Sequence, residues 1–205
     1  MGNSLSHIDS IIFDVGGVIC TPSRTSQFVE WAVSEHGIEA ESFRASLSQL
    51  RSAFSGKSIT EDVFFESIQG LGIPLSVNEI KDVYITHNFP NADMQALLHK
   101  LKERGLKLAI LSNSIPPITK KVREDLRGIF DVEVFSDEIG IRKPDPDMWT
   151  ETLKLLGKRP DQCLFIDDKA KNLSVPAEMG MAVEQFISPE ELIKVLREKY
   201  KLNLE

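Results

Sequence analysis

The sequence predicts an α/β protein built on a doubly wound parallel sheet, with a small all-helical cap inserted after the first strand. Three observations lead to this fold class. A compact apolar run occupies residues 10–15, helical spacing of apolar residues dominates from residue 24 to about residue 87, and strand and helix patterns alternate from residue 106 onward. Alternation of this kind is typical of parallel strands with helices on both faces of the sheet.

The first strand is predicted over residues 10–15, where the apolar run ends in glycines that favour a turn. Four helices follow before about residue 87, because apolar side chains recur there every three to four residues. Two of these helices have clear start signals. Thr60 precedes an acidic first turn, and Ser76 with Glu79 forms a capping-box pattern.

The second half of the chain begins with a helix over residues 93–104, which ends before Gly105. Four further strands are predicted, over residues 106–111, 132–135, 163–166 and 181–186. Helices are predicted between and after them, over residues 118–126, 146–156, 173–179 and 189–199. The 205 residues are enough for one such domain with a modest insertion.

This pattern divides the chain into an α/β core, residues 1–20 and 90–205, and a helical cap, residues 21–89. Ligands of open parallel sheets bind beyond the carboxyl ends of the strands. A segment inserted directly after the first strand would therefore cover the site as a lid. The cap residues that are candidates to face the site are Thr21, Arg24, Arg51 and Lys57.

Composition excludes several classes of protein. The net charge of −7 disfavours a protein that binds nucleic acid or a membrane surface. No apolar stretch is long enough to span a bilayer, and the N-terminal residues lack a secretory signal. Cys20 and Cys163 are far apart in sequence and are expected to be reduced, buried thiols. Together these features predict a cytoplasmic protein, whose oligomeric state the sequence does not reveal.

One N-terminal pattern points the other way. Residues 1–6 match the minimal pattern for N-myristoylation. So short a pattern arises readily by chance, and we do not expect the protein to bind membranes.

Residues suited to phosphoryl transfer fall at strand ends or in the loops that follow. They lie in four segments, residues 13–18, 111–114, 142–146 and 165–168. Because parallel strands share one carboxyl edge, we expect carboxylates, a hydroxyl and an ammonium group to meet there. Phosphoryl transfer needs that combination, since its catalysis rests on positioning and on neutralising charge on the equatorial oxygens.

With these four segments in this order, the chain resembles the haloacid dehalogenase superfamily, in the subfamily with a helical cap after the first strand. The resemblance covers nearly the whole chain. It is closest to phosphatases whose first motif reads Asp-x-Gly, of the glucose-1-phosphate phosphatase type. It is equally close to the phosphatase domain of soluble epoxide hydrolases, whose fourth motif resembles residues 166–173 and 177–181.

The resemblance implies a role for each residue of the site. Asp14 would be the nucleophile and would form an aspartyl-phosphate intermediate. Ser112 would donate its hydroxyl to a phosphate oxygen, and backbone N–H groups around Asn113 would help to bind that phosphate. Lys143 would hold the Asp14 carboxylate and offset charge in the transition state. The implied substrate is a small phosphorylated metabolite.

The resemblance also implies a Mg²⁺ cofactor. This ion prefers a few carboxylates together with water and substrate oxygens in octahedral geometry. Asp14, the backbone carbonyl of Gly16, and Asp168 with or without Asp167 would be its protein ligands. The epoxide-hydrolase-like pattern favours Asp168 as the direct ligand of the pair.

Taken singly, each of these residues has an ordinary structural interpretation. Asp14 would be a turn or cap residue, and Asp167 and Asp168 would cap the next helix. Ser112 would be a turn serine, and Lys143 a solvated surface charge. Only the complete set in family order favours catalysis.

Gly16 departs from the family pattern. Family phosphatases carry at this position an aspartate that protonates the leaving oxygen and then activates water, and loss of such a group costs about 10²–10⁴-fold in rate. Three hypotheses follow. We favour a phosphatase that takes the proton from elsewhere. The second is a haloacid dehalogenase, since halide needs no proton, and the third is a phosphate-binding or protein-interaction module with weak or no turnover. Dehalogenases usually have a tyrosine where Gly16 stands, which counts against the second.

Overall fold

The computed structural model of the protein describes residues 8–86 and 90–204. Its centre is a five-stranded parallel sheet with the strand order β3-β2-β1-β4-β5. The strands are β1 (Ser10–Phe13), β2 (Lys107–Ser112), β3 (Val132–Phe135), β4 (Cys163–Asp167) and β5 (Ala182–Gln185). All residues of β1 and β4 are buried, which explains why these strands appear in the sequence as unbroken apolar runs.

Four helices lie between residues 24 and 86, as the sequence predicted. They are α1 (Arg24–His36), α2 (Ala40–Ser55), α3 (Glu61–Gln69) and α4 (Val77–Thr86), called the inserted helices below. Their aromatic side chains pack together, with the Tyr84 ring 4.9 Å from Phe28 and 5.7 Å from Phe64. Thr60 caps α3, and Ser76 and Glu79 exchange hydrogen bonds as a capping box, so both predicted start signals are confirmed.

Six helices complete the chain: α5 (Ala92–Glu103), α6 (Pro116–Asp125), α7 (Ser136–Ile139), α8 (Pro146–Leu156), α9 (Ser174–Glu178) and α10 (Pro189–Glu198). Apolar residues of α5, α6 and α10 form one core with the inserted helices and with Ile11 and Phe13 of β1. Ile12 faces the other side of the sheet, where α8 supplies Trp149. Helices therefore cover both faces of the parallel sheet, and the predicted fold class is confirmed.

The topology brings three strand ends together. The chain runs from β1 to β2 and β3 on one side, then crosses back to β4 and β5 on the other. The reversal point lies between β1 and β4, which is where ligands of such sheets bind. Phe13 pairs with both Ile110 and Ile166, and the backbone N–H of Asp14 donates to the Ile166 carbonyl at 2.9 Å.

Some details differ from the sequence predictions. Strand β1 ends at Phe13 because the chain turns at the glycines that follow. The short helix α7 was not predicted, and the helix predicted over residues 173–179 is a 3₁₀ turn, Ala170–Asn172, followed by α9. The division of the chain at residues 20 and 90 stays an interpretation. The myristoylation pattern of residues 1–6 lies outside the described residues.

Two further predictions concern cysteine and membranes. Cys20 and Cys163 are free and buried, as expected. Burial raises the pKa of each thiol to about 12, so both stay protonated at neutral pH. Within the described parts of the chain, none of the helices has the length and apolar character needed to cross a bilayer.

Candidate active site

The four segments predicted to carry the chemistry meet at the carboxyl edge of the sheet. Asp14 directly follows β1, Ser112 is the last residue of β2, and Asp168 directly follows β4. Lys143 lies in the loop between α7 and α8. These four residues and Gly16 line one cavity of ≈ 450 Å³, which the inserted helices close from the other side.

A buried ammonium group organises the carboxylates. The Lys143 Nζ atom lies 2.7 Å from Asp14 Oδ1 and 2.7 Å from Asp167 Oδ2. The Lys143 side chain is only 2% exposed, so both ion pairs are shielded from solvent. The Asn113 side chain fixes the lysine loop, because its Oδ1 accepts from the Lys143 backbone N–H at 2.8 Å and its Nδ2 donates to the Lys143 carbonyl at 3.0 Å.

Asp167 makes contacts that occupy its whole carboxylate. Besides Lys143, it accepts two hydrogen bonds from the Asn172 amide, at 2.9 and 3.0 Å, and one from the Lys169 backbone N–H at 2.9 Å. Its side chain is fully buried. Such a carboxylate is well placed to orient the lysine and has little room for another ligand.

Asp168 is the more accessible aspartate of the pair. It lines the cavity with its side chain 28% exposed, and its Oδ1 accepts from Lys169 Nζ at 3.0 Å. Burial raises the pKa of this carboxyl group, and the charges of Asp14 and Asp167 act in the same direction. A cation between the carboxylates would counter both effects.

Gly17 makes room for Asp168. Its φ of +99° is in the region that favours glycine, and a Cβ at this position would lie 2.5 Å from Asp168 Oδ2. The turn after β1 therefore needs glycine so that the Asp168 carboxylate can approach Asp14.

The arrangement fits a hard divalent cation. Carboxylate oxygens of Asp14, Asp167 and Asp168 lie within 4.8 Å of one another, and oxygen donors of this type suit Mg²⁺. The three negative charges are only partly compensated by Lys143 and Lys169. The structure thus brings together the three aspartates that the sequence named as metal ligands, and metal binding itself stays a prediction.

The neighbouring position 16 offers no acid or base. A Cβ at Gly16 would meet no atom within 4 Å, so a side chain has space there. Among the described residues that line the cavity, the only carboxylates are Asp14 and Asp168, and none is a histidine, glutamate, cysteine or tyrosine. Among the described residues of the inserted helices, none that lines the cavity carries a carboxyl, imidazole, thiol or phenol group to replace the missing proton donor.

Two of the four candidate cap residues reach the cavity. Arg24 and Arg51 line it, whereas Thr21 and Lys57 are not among its lining residues. Sequence reasoning missed Arg44 and Arg142, together with the orienting role of Asn172. A signal for the inserted helices was present, because Arg44, Ser48, Arg51 and Ser55 recur at helical spacing and form one polar stripe along α2.

Residues 8–180 match the family model of the haloacid dehalogenase-like hydrolases. The chain belongs to this family. The family consists of hydrolases, so the sheet, the helical insertion and the carboxylate cluster described above are those of a hydrolase.

Relatives within the family have different names. The chain is 30% identical to mouse acyl-CoA dehydrogenase family member 10, over 91% of this chain but only 18% of that protein. It is 31% identical to a phosphoglycolate phosphatase of Aquifex aeolicus, over 47% of this chain and 46% of the relative. It is 24% identical to an (S)-2-haloacid dehalogenase of Pseudomonas fluorescens, over 87% of this chain and 84% of the relative. The chain spans less than half the length of the first two.

Solved structures have the same fold. A HAD family enzyme of Bacteroides thetaiotaomicron superposes with a TM-score of 0.73 and 21% sequence identity, over 93% of this chain and 99% of that chain. At this identity the similarity concerns the fold alone.

Proposed function

We propose that this hydrolase is a Mg²⁺-dependent phosphatase that acts on a small phosphorylated metabolite through an aspartyl-phosphate at Asp14. One observation carries the proposal: the Asp14 carboxylate is held 2.7 Å from the buried ammonium of Lys143, beside the Asp168 carboxylate, at the floor of a cavity. Similarity to relatives named phosphoglycolate phosphatase and phosphoserine phosphatase supports the proposal.

Each residue has a task in this reaction. A carboxylate oxygen of Asp14 attacks the phosphorus as the bond to the leaving oxygen breaks, and water then hydrolyses the aspartyl-phosphate, which releases inorganic phosphate and restores Asp14. Lys143 fixes the carboxylate and offsets charge on the equatorial oxygens. Ser112 donates its hydroxyl to a phosphate oxygen. The Asn113 side chain holds the Lys143 loop. Backbone N–H groups near Asn113 would help to bind the phosphate.

Asp14, Asp168 and the carbonyl of Gly16 would hold the metal, with Asp167 orienting Lys143 rather than binding the ion directly. When bound, Mg²⁺ neutralises part of the charge that would otherwise keep a carboxylate and a phosphate dianion apart. The Bacteroides enzyme that shares the fold forms a complex with magnesium and inorganic phosphate.

The missing acid at position 16 narrows the substrate class. No histidine, glutamate, cysteine or tyrosine is among the described residues that line the cavity, and we infer that water supplies the proton. Substrates whose leaving groups are stable as anions suffer least from this, which favours anomeric sugar phosphates, acyl phosphates and aryl phosphates over simple alkyl phosphates.

Phosphate release with Mg²⁺ tests the proposal on p-nitrophenyl phosphate, glucose 1-phosphate and glucose 6-phosphate. We expect turnover of the first two and at least about 10²-fold slower turnover of the alkyl ester. Asp14→Asn should remove turnover of all three. If the wild-type protein released no phosphate from a broad panel including these esters, the proposal would be abandoned.

Gly16 also favours a second candidate, a haloacid dehalogenase, because halide leaves without a proton. Halide release from 2-haloacids in the absence of phosphatase activity would support this alternative. Binding of phosphate or a phosphosugar by calorimetry without any turnover would instead indicate a non-catalytic binding module.

We further propose a cytoplasmic location, supported by the two protonated buried thiols and the acidic net charge of −7.

A further inference from the structure

The inserted helices present an unusual surface to the cavity. Nine lining residues come from positions 23–55, and all of them are arginines or hydroxyl-bearing residues. The arginines are Arg24, Arg44 and Arg51. No carboxylate and no apolar side chain of this segment lines the cavity, although a neighbouring face of α2 buries Phe43, Leu47 and Phe54.

Three cavity arginines contact hydroxyl groups rather than carboxylates. The guanidinium of Arg51 donates to the Thr25 hydroxyl, and Arg44 Nη1 lies 3.3 Å from Ser26 Oγ. Arg142, from the loop that carries Lys143, donates from Nη1 to Ser52 Oγ at 2.8 Å. Neutral partners of this kind orient a guanidinium and leave its charge and most of its five donors available.

Arginines elsewhere on the molecule are paired differently. Arg123 contacts the carboxylates of Glu133 and Glu138, and Arg159 contacts that of Asp161. Among the described residues, no such ion pair involves Arg44, Arg51 or Arg142. Three arginines without a carboxylate partner among the described residues therefore meet at one cavity.

The cavity is strongly cationic in an acidic protein. Six cationic side chains and two carboxylates line it, whereas the chain has a net charge of −7. Lys143 and Lys169 contact Asp14 and Asp168, so the excess lies with the arginines. Burial lowers the pKa of the Arg24 guanidinium, and the nearby charge of Arg51 acts in the same direction, although an arginine remains charged. An anion would relieve this repulsion.

We propose that the arginines of the inserted helices, together with Arg142, bind a second anionic group of the substrate, a phosphate or a carboxylate. The substrate would then be a small phosphate ester with a further anion at the end away from the reacting phosphoryl group. This inference rests on the proposed phosphatase function and deepens it, because the reacting phosphoryl group already has Ser112 and Lys143. The cavity of ≈ 450 Å³ suits a small molecule of this kind.

Three sugar phosphates test the subsite, because they share one leaving group and differ only at carbon 6. Glucose 1-phosphate has a hydroxyl there, glucuronate 1-phosphate a carboxylate and glucose 1,6-bisphosphate a phosphate. We expect kcat/KM to be about 10- to 100-fold higher for one or both of the anionic substrates than for glucose 1-phosphate. The anionic substrate with the larger increase in kcat/KM shows whether the subsite prefers a carboxylate or a phosphate. Phenyl phosphate and 3-carboxyphenyl phosphate form a second pair, which tests a shorter distance between the reacting phosphoryl group and the second anion.

Substitutions then locate the subsite. For each substrate set, the relevant ratio is kcat/KM for the anionic substrate divided by kcat/KM for its neutral counterpart. Arg51→Gln and Arg44→Gln should each lower this ratio toward one, and Arg51→Lys should restore part of it. Arg44 is exposed, so its variant keeps the test valid if Arg51→Gln does not fold. Arg159→Gln, which removes an exposed arginine outside the cavity, should leave the ratio unchanged.

The outcomes separate this inference from the proposed function. Turnover of p-nitrophenyl phosphate with ratios within about twofold in both substrate sets would overturn the anion subsite and leave the phosphatase standing. If nothing were turned over, the phosphatase proposal would fail. Calorimetric titration with glucose 1-phosphate and with the 1,6-bisphosphate would then decide the subsite, because at least about tenfold tighter binding of the bisphosphate supports it and equal binding rejects it.

Discussion

Lys143 is the residue on which the electrostatics of the site depend. Its buried ammonium group contacts Asp14 and Asp167 at 2.7 Å each, while Asp168 lies beside them with only Lys169 as an ion-pair partner. Buried charges are tolerated only when they are paired and hydrogen-bonded. The lysine therefore pairs both buried carboxylates, and in the proposed mechanism it also holds Asp14 in position for attack.

Removal of this charge has a predictable effect on stability. Lys143→Met leaves two buried carboxylates unpaired, and we expect it to lower the free energy of unfolding by about 3–5 kcal/mol at neutral pH. The loss should shrink toward ~pH 5, because unpaired buried carboxyl groups have raised pKa values and become protonated in the folded state. Urea denaturation measures both effects. Adding Asp167→Asn to the variant should recover part of the loss, and no recovery would contradict the pairing argument.

Gly16 permits a gain-of-function test. Nothing lies within 4 Å of a Cβ at this position, and its backbone does not adopt a positive φ, so Gly16→Asp fits without strain. We expect kcat for an alkyl ester such as glucose 6-phosphate to rise about 10²-fold or more, because the carboxyl group can protonate the leaving oxygen. Gly16→Asn is the control, because asparagine has the size of aspartate but cannot transfer a proton. Equal activity of the two variants would show that the effect is not acid catalysis.

At the scale of elements, the strand ends were the most predictable feature of the site. Asp14, Ser112 and Asp167 end buried apolar runs, and parallel strands with aligned registers bring such ends to one edge. The residues that sequence reasoning missed depend on tertiary packing. Arg142 is reached through a loop whose path is set by the Asn113 side chain, and no periodic pattern reveals that contact.

The boundaries of the elements were less predictable for the same reason. Helix α6 begins at Pro116, two residues before the first apolar position of its pattern, and β2 is shifted by one residue from the predicted run. Terminal turns have few buried side chains, so apolar spacing does not define them. Capping residues define them better, as Thr60, Ser76 and Asp145 show.

Helix α8 offers a test at this scale. Asp145 accepts from the Asp147 backbone N–H at 3.0 Å and caps the helix that follows the Lys143 loop. Asp145→Ala should lower the free energy of unfolding by about 0.5–2 kcal/mol, whereas Asp145→Asn, which keeps the acceptor, should cost less. Chemical denaturation of the three proteins measures the difference. Equal loss in both variants would mean that the cap contributes little.

For the whole molecule, the distribution of charge matters more than its sum. The chain has a net charge of −7, yet six cationic side chains and two carboxylates line the cavity. An acidic surface would repel the proposed anionic substrate at long range, while the cavity would attract it at short range. Net charge alone does not reveal this cationic surface, because the surface depends on the fold, which turns one face of α2 toward the cavity.

This charge distribution predicts how activity responds to salt. Because attraction in the partly exposed cavity is screened at high ionic strength, kcat/KM for an anionic substrate should fall between low salt and ~0.5 M NaCl. The fall should be smaller in Arg51→Gln. Steady-state kinetics across a salt series measures both. A rate that is independent of salt, or that rises with it, would contradict electrostatic attraction by the arginines.

The account as a whole depends on Asp14 as the group that accepts the phosphoryl group. Wild-type protein mixed with Mg²⁺ and p-nitrophenyl phosphate, then quenched in acid during turnover, can be digested and its peptides analysed by mass spectrometry. We expect one phosphoryl group on Asp14 and none in the same peptide of Asp14→Asn, which should also release no phosphate. A phosphoryl group on another residue, or undiminished turnover by Asp14→Asn, would contradict the mechanism.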